Sequence, residues 1–339
     1  MKTKYESYLF GKLSEGCKFC LEGKKGVLFI TGLCSRNCQY CPLSNKRKSK
    51  DKIWFNEREI NSFKDLIEEI KSSNAKSCGI TGGDPLINLN RTLKFARFLK
   101  QRYGMKFHIH IYLSTKLVNK NNLSKLSKFI DEVRFHPDLS KDYEEEIKKI
   151  SLADKFWDKK NIGIELPCFS DKKKEILEFI LKASPCISFV NLNELELGES
   201  NERFIFKRYA LNKEGYTVKD SIKSGLWILK KIKVKKLKLN VHLCTAKTKN
   251  WYQYRNRLKN YSFFPFAKKT EEGTLIYFFT DDKMALNLLR TKDYFFYSFK
   301  KRIVLNPKVI LKLKGKLKIY KCEEYPSFDK EEILIEEIK

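Results

Sequence analysis

From residue 26 to residue 243, short apolar runs alternate six or seven times with longer amphipathic stretches. The runs are "GVLFIT" (26–31), "KSCGIT" (76–81), "KFHIHIYL" (106–113), "DEVRFH" (131–136), "NIGIELP" (161–167), "ISFVNLNEL" (187–195) and "KLKLNVHL" (236–243). Between the first two, residues 59–73 carry Ile60, Phe63, Leu66, Ile67 and Ile70 at helical spacing. Residues 89–103, "NLSKLSKF", "KDYEEEIKKIS", 174–183 and 217–232 read as further helices. Repeated βα units require a parallel sheet, because each helix must cross back before the next strand can pair. A doubly wound sheet and a complete or partial (β/α) barrel both satisfy this pattern. In either one, chemistry belongs at the C-terminal ends of the strands.

Beyond residue 245 the pattern changes. "TAKTKNWYQYRNRLKNY" is basic and aromatic, and "GTLIYFF", "RIVLNP" and "KVILKLKGKLKIYKC" read as a small β-rich module. The expected organisation is an N-terminal extension over 1–23 with a cysteine pair, a βα unit over 24–245, and a basic accessory module over 246–339. The chain start is broken by charges and glycine, and no apolar run is long enough to span a bilayer. The expectation is a cytoplasmic protein with no membrane partner.

"GLCSRNCQYCPLS" places Cys34, Cys38 and Cys41 directly after the first strand, at its C-terminal end. Thiolates are soft ligands for zinc and for iron–sulfur clusters. A structural zinc wants four closed ligands, and three neighbouring cysteines leave it short. A 4Fe–4S cluster held by three cysteines keeps one iron open to a ligand from outside the chain. A zinc knuckle is the simpler competing account.

"CSRNCQYC" resembles the CxxxCxxC signature of the radical S-adenosylmethionine (SAM) superfamily, with the aromatic Tyr40 just before the third cysteine. The resemblance implies a partial, TIM-like (β/α) barrel and a 4Fe–4S cluster whose open iron chelates SAM. Reductive cleavage of SAM then yields a 5′-deoxyadenosyl radical that abstracts hydrogen from a substrate. It also implies an electron donor such as ferredoxin or flavodoxin. "GITGGDPL" (79–86) stands where the family carries a GGEP-like motif for the methionine amino group. Gly82, Gly83 and Asp84 are therefore candidate SAM contacts, with Asp84 in place of the usual glutamate. Glu165 on the fifth strand and Asn193 on the sixth are candidates for the adenosine side. More narrowly, these motifs with "FHIHIY", "RFHP" and "NLNELEL" resemble an archaeal group described as related to pyruvate formate-lyase activating enzymes.

Other constellations have two readings each. Cys17 and Cys20 precede the first strand, and His242 and Cys244 end the last one. Chain start and end are neighbours in a nearly closed barrel, so the four are candidates for zinc or an auxiliary iron–sulfur centre. They are otherwise reduced side chains without a partner. His108, His110 and His136 are proton-transfer candidates or core histidines. Arg134 shares a strand with His136, and Glu165 is a candidate partner for it. Cys78, Cys168, Cys186 and Cys322 stand alone and read as apolar filler.

The charge is +29, from 70 Lys+Arg against 41 Asp+Glu, which favours a polyanionic partner over a lysine-biased composition. Lys249, Trp251, Tyr254, Arg255, Arg257 and Lys259 interleave base and aromatic, as in nucleic-acid contacts, or else form an ordinary amphipathic helix. The expectation is a radical SAM enzyme that modifies tRNA or another RNA. A glycyl-radical activating enzyme acting on a protein is the alternative. A non-catalytic, metal-containing RNA-binding protein is the third reading.

Overall fold

In the computed structural model, which describes residues 1–338, the chain forms one ten-stranded sheet and a smaller antiparallel one. The first sheet contains β1 (Tyr8–Phe10), β2 (Lys25–Phe29), β3 (Trp54–Phe55), β4 (Arg58–Glu59), β5 (Ser77–Thr81), β6 (His108–Ser114), β7 (Glu132–His136), β8 (Ile162–Cys168), β9 (Phe189–Glu194) and β10 (Asn240–Cys244). Their spatial order is β1-β10-β9-β8-β7-β6-β5-β2-β3-β4. All neighbours from β2 and β5 through to β10 are parallel, whereas β1 and β3 add antiparallel edges.

The seven sequence runs become the seven parallel strands. Their connections carry helices α2 (Phe63–Ser72), α3 (Leu89–Tyr103), α4 (Lys120–Leu126), α5 (Tyr143–Ser151), α6 (Lys173–Ala183), α7 (Glu202–Arg208) and α8 (Ser221–Val234). Helix α2 starts where Ser62 and Asp65 cap each other reciprocally, so two otherwise orphaned backbone donors are satisfied. One continuous apolar core, from Leu28 to Leu243, lies between strands and helices.

The N-terminal segment is part of this unit and not an extension of it. Helix α1 (Glu15–Leu21) sits inside the curve of the sheet. A Cβ on Gly16 would lie 2.5 Å from His110 Nδ1 of β6 and 2.7 Å from an Arg134 nitrogen of β7. The next residue, Cys17, has its Sγ 3.5 Å from Asn191 Oδ1 of β9. A flat sheet would hold β6 and β9 about 14 Å apart. Adjacent residues reach both because the sheet wraps around α1.

The expected boundary at 245 also moves. A π-wound helix (Thr248–Tyr254) runs into α9 (Arg255–Asn260), and this rod bridges the two ends of the parallel run. At one end, Thr248 Oγ1 donates to Tyr5 O and Gln253 Nε2 to Cys244 Sγ. At the other, Asn256 Nδ2 donates to Leu21 O, Arg257 pairs with Glu57, and the buried Tyr261 donates to Glu69 Oε1 at 2.5 Å. The accessory module begins after residue 262. It contains β11 (Lys268–Lys269), β12 (Leu275–Thr280), β13 (Tyr294–Tyr297), β14 (Arg302–Leu305), β15 (Tyr320–Glu324) and β16 (Glu332–Glu337), all antiparallel. It has its own cores, one around Leu305 and one around Tyr277. No helix among the described residues is long and apolar enough to cross a membrane.

Candidate active site

The three-cysteine stretch is a loop with a closed neck. Gly32 N donates to Lys50 O at 2.7 Å and Ser49 N to Gly32 O at 3.0 Å, so residues 33–48 project from the C-terminal end of β2. Cys34 is exposed, Cys38 and Cys41 are half-buried, and all three are free thiols.

The glycine motif after β5 grips this neck by close backbone approach. Gly83 N donates to Thr31 O and Asp84 N to Leu33 O. A Cβ on Gly82 would lie 2.5 Å from Thr31 O, and one on Gly83 would lie 2.1 Å from Leu33 O, so both positions need glycine. Asp84 is fully buried. Its Oδ2 accepts from Ser35 Oγ at 2.5 Å and from Ser114 Oγ at 2.6 Å, and its Oδ1 accepts from Leu86 N at 3.0 Å. Asp84, a candidate SAM contact by its motif, thus has partners in the cysteine loop itself and at the end of β6. Its carboxylate is spent on fastening the cysteine loop to the ends of β5 and β6. Asp84→Ala is accordingly expected to make the loop's metal centre labile, with iron per chain falling at least about twofold after desalting, since a buried charged hydrogen-bond acceptor with three donors is lost. Iron analysis before and after anaerobic gel filtration checks this.

The far side of the loop is tied just as firmly. Lys116 Nζ donates to Ser35 O at 2.7 Å, and Arg36 Nη1 donates to His136 O at 2.6 Å. Tyr40 Oη lies 2.9 Å from His136 Nε2. Asn201 Nδ2 donates to Tyr40 O and Ser200 Oγ to Cys41 O. The sequence reading missed Ser35, Ser114, Ser200 and Asn201, because a lone serine or asparagine carries no motif. Beside the loop opens a cavity of about 750 Å³. Its lining includes Cys34, Cys38 and Tyr40, the bases Lys116, Lys172 and Arg208 and the acids Asp138, Glu145 and Glu146.

Burial, and then Arg36, hold the His136 imidazole down at about 4. It is therefore neutral near pH 7. An unfolded histidine titrates near 6.5, so between about 6.5 and 4 the unfolded chain binds more protons. The stability contributed by neutral His136 is full above that window and is lost as pH falls through it. The loss is at most roughly 3 kcal/mol, lessened because the ring keeps some exposure. His136→Gln should flatten the pH dependence of urea unfolding in this window.

Of their two readings, His108 and His110 take the core place. They lie at the start of β6, with His110 about 13 Å along the strand from Ser114 and the cysteine loop. His108 stacks on Phe19 of α1, and the wholly buried His110 is kept neutral by burial and by Arg134. Neither reaches the cavity end. Glu165 and Asn193 also have partners. Arg134 Nη1 lies 3.1 Å from Glu165 Oε2, and the amides of Asn191 and Asn193 donate to the same carboxylate. Burial works against the Glu165 carboxylate, but Arg134 and these amides override it and hold its pKa below the ordinary value. Arg134 further reaches Glu132, Tyr112 Oη and Ser14 Oγ, so it binds the start of α1 to three strands.

The basic, aromatic segment is not the open nucleic-acid face that the sequence proposed. Lys249 pairs with Glu196 and Arg257 with Glu57, Tyr254 packs on Tyr325, and Arg255 covers Trp251. Its amphipathic face closes the fold, as the structural alternative held. Trp251 and Lys259 remain exposed. The four candidate ligands Cys17, Cys20, His242 and Cys244 are brought to one region under α1. Their ligand atoms are not drawn together as tightly as a single ion would hold them, since the one group within 4.8 Å among the described residues is Cys322, Glu324 and Glu332.

Parallel βα strands with a clasped three-thiol loop at their C-terminal ends define a protein built to carry an iron–sulfur centre beside an open cavity. The donor set fits a three-cysteine cluster: the three thiols are free, and Cys34 and Cys38 border the cavity. A family model described as the radical SAM superfamily matches residues 28–154. A protein of Methanocaldococcus jannaschii named "Putative glycyl-radical enzyme activating enzyme" is 36% identical over 361 residues, covering 97% of this chain and 94% of its own. Two solved structures of TsrM, a radical SAM methyltransferase from Kitasatospora setae, share 10% and 12% identity, one with tryptophan and a SAM analogue and one with cobalamin and a 4Fe–4S cluster. Each likeness covers 56% of this chain, and 40% and 38% of theirs, with a TM-score of 0.36. The chain belongs to the radical SAM superfamily and is an enzyme that uses a 4Fe–4S cluster and SAM.

Proposed function

We propose that this enzyme is an activating enzyme that takes a hydrogen atom from a glycine of a partner protein. The observation that carries this reading is the near full-length relationship to a protein named for glycyl-radical activation. One structural feature supports it against the RNA reading. The segment that motivated RNA contact spends Lys249 and Arg257 on internal ion pairs.

When bound, the cluster and SAM supply reductive cleavage of the sulfonium, with one electron from an external donor such as ferredoxin or flavodoxin. The balance is one electron and one SAM in, methionine and 5′-deoxyadenosine out, and the glycine Cα–H hydrogen carried to the 5′ carbon. The chain's own residues have positioning roles. Cys34, Cys38 and Cys41 would ligate the cluster. Asp84, Ser35, Arg36 and Tyr40 fix the loop that would present it. In this reading Gly82, Gly83 and Asn193 would contact SAM.

The test follows the hydrogen. Reconstituted enzyme is given SAM, dithionite and total protein from cells grown on glycine deuterated at Cα. Deuterium in 5′-deoxyadenosine is the expected result. Deuterium only when the deuterated material is bulk tRNA would overturn this reading in favour of RNA modification, the reading that the +29 charge otherwise favours.

A further inference from the structure

The interior under α1 holds more ligating chemistry than the cysteine loop uses. Cys17 and Cys20 are one turn apart on α1 and so share a helix face. His242 and Cys244 are two apart on β10 and so share a sheet face. The topology joins the pairs: β1 runs antiparallel beside β10, with Leu9 opposite His242, and the chain then turns at Gly11 into α1. Cys17 Sγ reaches Asn191, the residue in register with His242 across β9 and β10, and it sits against the His242 ring. Cys244 lies within the electrostatic reach of both Cys17 and Cys20.

Two observations mark this group as a site for a ligand. First, both ring nitrogens of His242 are buried without a hydrogen-bond partner, although the residue is only 3% exposed. His110 shares this lack of partners, but His242 differs in having the Cys17 thiol against its ring and Cys244 two residues along its own strand face, so soft ligands surround it. Second, a cation stands against each thiol. Arg134 Nη2 is 3.5 Å from Cys17 Sγ, Lys25 is beside Cys20, and Lys249 is beside Cys244. Arg134 and Lys249 also serve carboxylates. Cations close to buried sulfurs would favour their thiolate forms once a metal displaced the protons.

The tighter cluster in the accessory module makes the contrast. Cys322, Glu324 and Glu332 are closer together, yet Glu324 accepts from Tyr277 and Tyr297, and Glu332 pairs with Lys300 and Arg302. Those oxygens are already served.

We propose that Cys17, Cys20, His242 and Cys244 bind a second, thiolate-ligated metal centre that fastens α1 inside the sheet. A tetrahedral zinc holds its sulfurs about 3.8 Å apart, so zinc would draw the four inward, whereas an iron–sulfur cluster spans a wider ligand set. The shared chemistry is a soft metal on three thiolates and an imidazole, and the assay separates the two sources.

The test removes the first site. A triple variant, Cys34→Ala with Cys38→Ala and Cys41→Ala, is reconstituted anaerobically, first with zinc alone and then with iron and sulfide, and desalted. The expected result is either about one zinc per chain without sulfide, or iron with matching sulfide, retained with native circular dichroism. Adding Cys20→Ser and Cys244→Ser should remove it. A folded triple variant that keeps neither metal overturns the proposal, as does metal that survives the added serines. If the triple variant does not fold, the parent answers instead. Metal beyond the first cluster must then be lost in Cys20→Ser while the first cluster's paramagnetic signal stays, and equal metal in both proteins overturns the site.

Discussion

Cys38→Ala is expected to yield a folded protein that binds no stable 4Fe–4S cluster and cleaves no SAM. Each of the three thiolates holds a different iron, and two cannot retain the cluster against dilution. The loop itself should survive. Its hydrogen bonds run through Ser35, Arg36, Lys116, Tyr40 and Asn201, and each of these has a partner other than the Cys38 side chain. The melting temperature without metal should therefore stay within about 2 °C of the parent, as for a substitution outside the core. Iron analysis, the visible absorption of the cluster and the yield of 5′-deoxyadenosine check the three parts separately. Retained cleavage in this variant would move the catalytic centre elsewhere in the chain.

Arg134→Leu is expected to cost about 3–5 kcal/mol of folding stability, the penalty for removing one partner of a buried ionic network. Arg134 is 3% exposed and lies against Glu132, itself 2% exposed, and Glu165. It is also the cation that meets Ser14 and Cys17 at the start of α1. Without it, two acids lose their counter-ion in the interior and α1 loses its anchor. Arg134→Lys should recover only part of the loss, because one ammonium cannot span the contacts of a guanidinium fork. Urea unfolding of the three proteins measures this. A loss below about 1 kcal/mol would mean that α1 is held by packing alone.

The parallel unit was legible because each of its strands is an apolar run and each crossover a helix with its own periodicity. Helix 89–103 and α3 share the same limits. What was hidden were features made by contact between distant segments. Helix α1 is seven residues long and too short for periodicity to reveal, and its place inside the sheet depends on β1 pairing with β10. The rod from Thr248 to Asn260 looked like a binding surface because a helix that closes a fold and one that binds RNA carry the same mixture of base and aromatic. Only the opposing acids decide, and Glu57 and Glu196 are remote in sequence. The cysteine loop was found at once, since CxxxCxxC is a local pattern. The role of Asp84 was not, because it depends on two serines, Ser35 and Ser114, that are 49 and 30 residues away. For His108 and His110 the sequence left proton transfer and a core role open, since alternation shows that they share a face and not how deep in the sheet they lie.

The central claim is that the clasped cysteine loop carries out radical SAM chemistry. It is tested most directly by anaerobic reconstitution of the parent protein, followed by addition of dithionite and SAM and quantitation of products by mass spectrometry. The account predicts 5′-deoxyadenosine and methionine in equal amounts, formed only when the cluster is present. A protein that holds its full complement of about four irons at this loop and still forms no 5′-deoxyadenosine would contradict it.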